Sequence, residues 1–177
     1  MPTPQSSMPT CVLAGSESLL IQCGELLLER GWEITRVVSR DESIVDWAES
    51  KSLSVCAPGK ALANALEGAP FEWFFSITNL SIIPEAVLDM AEKGAINFHD
   101  GPLPRYAGMY TPAWALLNGE SDYGVTFHEM TGGIDEGRIL VQRRFPVGDG
   151  ETSLSLNTAC YAAAIEGFGE LATQIES

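Results

Sequence analysis

Short apolar runs alternate with stretches of helical periodicity along most of this chain, and that rhythm leaves few folds open. Residues 11–15 (CVLAG) predict a buried strand ending at a glycine. Residues 18–30 predict a helix with Leu19, Leu20, Leu26, Leu27 and Leu28 on a broad apolar face, a serine near its start and Gly31 just beyond its end. Further strands are expected at 33–39, 53–56, 73–77 and 95–98. Further helices are expected at 43–51, started by Ser43, at 60–66, and at 84–93, opened by Pro84. Residues 100–110 repeat Gly and Pro and read as a loop, after which Thr111 and Pro112 cap and open a helix over 111–118. The rhythm then changes. Strands at 123–130 and 139–147 are separated only by the Gly-rich 131–137, and a closing helix spans 153–175. Apolar strands joined through helices require a mainly parallel sheet covered on both faces. The predicted fold is therefore a single doubly wound α/β domain with a mainly parallel twisted sheet, its last two strands being antiparallel additions. Residues 1–10 (MPTPQSSMPT) read as a flexible leader or linker, which leaves 11–177 as the domain.

Charge narrows the partners. Ten Lys and Arg stand against 24 Asp and Glu, a net charge of −14. Phosphate contacts need clustered cations, so this balance argues against nucleic acid and anionic membrane as partners. No apolar run reaches the roughly 18 residues of a transmembrane helix. Cys11, Cys23, Cys56 and Cys160 are scattered, without a C-x-x-C pair or a histidine at metal-ligand spacing. Such thiols fit a reducing, cytoplasmic setting, and no metal is expected. The first strand exit, Gly15-Ser16-Glu17-Ser18, lacks both the dinucleotide glycine pattern and the phosphate loop.

Ligands of doubly wound sheets bind beyond the carboxyl ends of the strands. The exits into 78–83, 99–110 and 131–137 are the places to look. Asn97 and His99, two residues apart at a strand end, point to one face. The amide can donate to a developing oxyanion, and the imidazole can exchange a proton near neutral pH. A carboxylate is needed beside the imidazole; Asp100 and Asp135 both qualify by position. A lone Asn or His at a strand end serves equally well in capping or packing, and periodicity does not decide. In the strand over 123–130, Val125, Phe127 and Glu129 alternate with Thr126, His128 and Met130. His128 reads as a structural or supporting residue and Trp114 as helix packing. Arg105 reads equally as an anion contact or as solvated.

Asn97-Phe98-His99 followed by Leu103-Pro104-Arg105-Tyr106-Ala107-Gly108 resembles the N-x-H … L-P-x-x-x-G signature of folate-dependent formyltransferases. Gly124-Val125-Thr126 with Ile134-Asp135-Glu136-Gly137 resembles the family's G-V-T … D-x-G segment, and Val141-Gln142 suits the strand after it. The resemblance runs most clearly from Trp73 to Gln142. It implies a Rossmann-like formyltransferase fold and transfer of a formyl group from 10-formyltetrahydrofolate to an amine, with no metal. It implies Asn97, His99 and Asp135 as the catalytic triad. Leu80, Ile82, Ile83 and Pro84 would line one side of the folate, and Gly132, Gly133 and Ile134 the other. Ile82 and Ile83 serve equally as core at a loop–helix junction. Two departures touch the acceptor side: Asp-Gly-Pro-Leu-Pro follows His99, and Ala107 stands where the family often has arginine.

Among the family's acceptors, methionyl-tRNA is disfavoured by the acidic charge and by the want of a following nucleic-acid-binding domain. The HDGPLPRYAG loop looks most like formylation domains embedded in nonribosomal peptide synthetases, whose acceptor is an aminoacyl group on a carrier protein. An amino-sugar nucleotide or other small amine is the alternative acceptor. A folate-binding scaffold without catalysis and a hydrolase releasing formate are the alternative activities.

Overall fold

In a computed structural model, which describes residues 8–177, seven strands form one sheet in the order β3-β2-β1-β4-β5-β6-β7. They are β1 (Thr10–Gly15), β2 (Glu33–Val38), β3 (Val55–Cys56), β4 (Phe71–Ile77), β5 (Ala91–His99), β6 (Asp122–Glu129) and β7 (Ile139–Pro146). The helices are α1 (Glu17–Glu29), α2 (Glu42–Ser50), α3 (Leu62–Leu66), α4 (Glu85–Leu88), α5 (Thr111–Leu117) and α6 (Ser153–Glu176). The first five strands run parallel, and β6 and β7 are antiparallel additions, as the change of rhythm predicts.

Alternation along the strands divides the core in two. Cys11 and Leu13 of β1, Phe75 and Ile77 of β4, Ile96 and Phe98 of β5, and Val125 and Phe127 of β6 pack with α1 and α6. Phe168 of α6 anchors this face, edge-on to Phe75 at 5.3 Å and tilted against Phe127 at 5.7 Å. Each buried phenyl is worth roughly 1.5–3 kcal/mol. The opposite face holds Val12, Ala14, Phe74 and Ala95 beneath the short helices α3 and α4. Two helices of five and four residues cannot cover seven strands. The polar residues of β5 and β6 occupy the part of that face beyond them.

Four predicted boundaries need correction. The helix expected over 84–93 ends after one turn, because Ala91 already pairs with Phe71 of β4. Sheet pairing here overrides helical preference, with Gly94 at a φ of +151° where the register shifts. The caps also move. Asp41, not Ser43, caps α2 by accepting from the Ser43 N–H. Tyr110 stands before α5 in the left-handed region, while Thr111 donates to Asp100. Of the expected leader, residues 1–7 lie outside the described residues, and Thr10 already belongs to β1, where it pairs with Glu33. No described helix is long and apolar enough to cross a membrane.

Candidate active site

The antiparallel pairing of β5 with β6 sets Asn97 opposite His128 and His99 opposite Thr126. The next pairing sets Thr126 opposite Gln142 of β7. Residues directly opposite share a face, so one polar row of Asn97, His99, Thr126, His128 and Gln142 crosses three strands. Phe98 and Phe127, 5.4 Å apart, hold the other face into the core and so turn this row outward.

The loop over 100–110 is tied down onto the row. Gln142 Nε2 donates to the Leu103 carbonyl at 2.9 Å and to Thr126 Oγ1 at 3.0 Å. The Thr126 hydroxyl donates to the Gly101 carbonyl at 2.7 Å and accepts from the Leu103 N–H at 3.2 Å. His99 Nε2 donates to the Tyr106 carbonyl, which leaves Nδ1 facing the site. A β-carbon at Gly101 would stand 2.8 Å from that carbonyl oxygen and 3.0 Å from His99 Nε2, so only glycine lets the loop close here. The peptide bond between Leu103 and Pro104 is cis.

Asp135 supplies the carboxylate. Its Oδ2 lies 3.6 Å from His99 Nδ1 and accepts from the Gly108 N–H at 2.9 Å; its Oδ1 lies 3.4 Å from His128 Nε2. The residue sits in the left-handed region, φ +54°, a strained position for a non-glycine. Asp100, the other candidate by position, is spent structurally: its carbonyl accepts from the Tyr123 hydroxyl at 2.8 Å and its carboxylate from Thr111 at 3.1 Å. Burial raises the Tyr123 phenol above its ordinary value and keeps it a donor. His99, Asp135 and His128 have side chains only 6%, 10% and 4% exposed. Such burial excludes water and strengthens electrostatic interactions.

The resemblance implies Asn97, His99 and Asp135 as one group, and the structure brings them together. His128, read as a structural or supporting residue, lies against the same cluster. Strand alternation put His128 on the face of Thr126, and only the pairing register reveals that this face is the one bearing Asn97 and His99. Trp114, expected in helix packing, is 56% exposed. Arg105 is neither free nor in the cluster, since it pairs with Glu120 at 2.5 Å. Glu129 pairs with Arg138, which holds its carboxyl below the usual range.

Two loops flank the cluster with apolar groups facing solvent. Leu80, Ile82 and Ile134 are exposed, an arrangement suited to covering a flat ligand. Ile83 does not join them. It is buried with Phe74 and Val87 in the second core, because α4 begins immediately after it and needs an apolar anchor. Pro84 forms the N-cap of that helix, and Gly132 and Gly133 are exposed in the loop over 131–137. Asn79 organises the first loop by accepting from the Ser81 N–H and donating to its carbonyl.

The chain belongs to the formyl transferase family, whose model matches residues 49–170. It is 39% identical over 102 residues to a GDP-perosamine N-formyltransferase of Brucella melitensis, covering 54% of this chain and 39% of the relative. It is 42% identical over 76 residues to a methionyl-tRNA formyltransferase of Geobacter sulfurreducens, covering 43% of this chain and 24% of that relative. These matches therefore span well under half of the curated relatives' length. Among solved structures, glycinamide ribonucleotide transformylase 1 of Symbiobacterium toebii superposes with a TM-score of 0.83 at 21% identity, covering 94% of this chain and 86% of that one. The N-formyltransferase of Helicobacter canadensis, solved with folinic acid and dTDP-3-aminofucose, superposes at 0.79 and 22% identity, covering 96% and 64%. At such identities these structures establish the shared fold.

Proposed function

We propose that this chain transfers a formyl group from 10-formyltetrahydrofolate to an amine. The observation that carries this reading is the convergence of Asn97, His99 and Asp135 at the carboxyl edge of β5, in a chain of the formyl transferase family. The exposed walls of Leu80, Ile82 and Ile134 suit a flat donor, and residues 131–134 are exposed beside it. Balance is simple. The amine nitrogen bonds to the formyl carbon, the bond from that carbon to the donor nitrogen breaks, and the proton lost by the amine ends on that nitrogen.

Each residue has one task. Asn97 donates from Nδ2 to the formyl oxygen as charge develops there, worth roughly 3 kcal/mol for one well-placed donor. His99 accepts the amine proton at Nδ1 and passes it on, an acid–base contribution of roughly 10²–10⁴-fold. Its Nε2 is already engaged with Tyr106. The Tyr106 carbonyl fixes the ring through Nε2, and Asp135, its Oδ2 3.6 Å from Nδ1, stabilises the imidazolium once Nδ1 has taken the proton.

For the acceptor we propose an aminoacyl group tethered to a carrier protein of a nonribosomal peptide synthetase. Two features support it. The charge of −14 disfavours RNA, and Met109, Tyr110, Trp114 and Leu117 expose an apolar surface just beyond the loop over 100–108, where a protein could present the amine. An amino-sugar nucleotide is the second reading, favoured by the identity to the perosamine enzyme. Incubation with 10-formyltetrahydrofolate and each amine in turn, read by mass spectrometry, separates them. Formyl gain on the carrier-bound aminoacyl group alone is expected. Gain only on the sugar nucleotide selects the second reading, and free formate without any formylated amine overturns both.

A further inference from the structure

Resting on the formyl-transfer reading, we propose that His128 is a positioning residue that aims the Asn97 amide. His128 is buried, with Nδ1 2.8 Å from the Glu129 carbonyl oxygen. A carbonyl only accepts, so Nδ1 carries the hydrogen and, in the neutral ring, Nε2 is an acceptor. Asn97 Nδ2 lies 3.3 Å from that Nε2 and donates to it.

This bond settles which end of the amide faces which way. An asparagine can present either its NH₂ group or its oxygen, and nothing in the polypeptide geometry of Asn97 chooses between them. With one Nδ2 hydrogen held by His128, the second hydrogen of the same NH₂ projects into the site as a donor. With the amide reversed, its oxygen would face the developing negative charge and repel it. The surrounding groups are Asp135, 3.4 Å from Nε2, His99 on the neighbouring strand, and Glu129, whose carboxylate is engaged by Arg138. A proton on Nε2 would be donated to Asp135, and Asn97 would lose its acceptor. The proposal therefore requires the ring with its one proton on Nδ1.

The wild-type chain and the variants His128→Leu and His128→Gln test this. ¹⁵N spectra of the wild-type imidazole at neutral pH should show a proton on Nδ1 and none on Nε2; a proton on Nε2 overturns the proposal. His128→Leu fills the space without an acceptor and should lower kcat roughly 10²-fold, as misaiming a catalytic group does, with KM for 10-formyltetrahydrofolate unchanged. His128→Gln carries an oxygen able to take the place of Nε2 and should recover most of kcat. Wild-type kcat in the Leu variant, or equal loss in both, contradicts the assignment. Should the Leu variant melt far below the wild type, the Gln variant and the ring spectrum still decide. Should the chain formylate no amine, the ring spectrum and the Asn97 side-chain amide signals still report the positioning, so the two readings fail separately.

Discussion

Two carboxyl edges of this sheet could receive a ligand, and the chain treats them in opposite ways. Strand order reverses between β1 and β4, and doubly wound folds commonly use that crevice. Here the chain ties its own loops together across it, leaving an open cleft lined by Ser16, Arg40, Asp41 and Leu80. Ser16 Oγ donates to the Thr78 carbonyl at 2.8 Å, and the Thr78 hydroxyl donates back to the Ser16 carbonyl. The Glu17 N–H, which opens α1, donates to the Asp41 carboxylate at 3.2 Å. A helix N-terminus attracts anions, and this one already has an anion of the chain's own. The edge of β5 and β6 has its polar groups converged but facing one another across the site, with loops clamped around them. Both edges are polar and well hydrogen-bonded. They differ in what the bonds are for: at the first, side chains are spent on fastening the backbone of neighbouring loops; at the second, the bonds also orient side chains toward one another.

That contrast predicts a separation between activity and stability. His99→Ala should lower turnover by roughly 10²–10⁴-fold, as loss of an acid–base residue does, while costing about 1–2 kcal/mol of stability for the lost bond to Tyr106. Retained turnover would remove the chemistry from the second edge. Gly15→Ala should do the reverse. At a φ of +148° its new β-carbon would stand 1.7 Å from the Ile77 carbonyl oxygen, so the first edge must shift, costing about 3 kcal/mol or more in denaturant titrations. A wild-type midpoint would show that this edge is not tightly closed. Gln142→Leu removes two hydrogen bonds that hold the loop to the polar row. It should cost about 1–2 kcal/mol and lower turnover less than His99→Ala does.

The smallest effect concerns acid. The Ser43 hydroxyl and then the Glu17 N–H lower the Asp41 carboxyl below its ordinary value of 3.8. Its contribution to folding is therefore complete above about pH 3.8 and is lost as pH falls further, through the lowered folded value. Asp41→Asn keeps an N-cap oxygen for α2 but not the charge. Its melting temperature should fall less steeply than the wild type's below pH 3.8; parallel curves would contradict the role given to that carboxylate.

Periodicity carried far into this fold and stopped at identifiable points. Strand alternation put Asn97 and His99 on one face and set Phe127 on the face away from His128, and the structure shows Phe98 and Phe127 facing the core. Alternation could not supply the register between β5 and β6, on which the meeting of Asn97 with His128 depends. The motif resemblance selected Asp135 over Asp100. Position alone left both open, since what disqualifies Asp100 is its engagement by Thr111 and Tyr123, 11 and 23 residues further along the chain and folded back onto it. Ile82 and Ile83 show the same limit at finer scale: adjacent apolar residues just before a four-residue helix, one 91% exposed and one 8%.

A crystal structure of the chain with folinic acid, a stable formylated folate, asks directly which edge does the work. The ring of the ligand is expected between the loops over 78–84 and 131–135, with its formyl-bearing end against Asn97 and His99. Binding instead in the cleft bounded by Ser16, Arg40 and Asp41 would contradict the account.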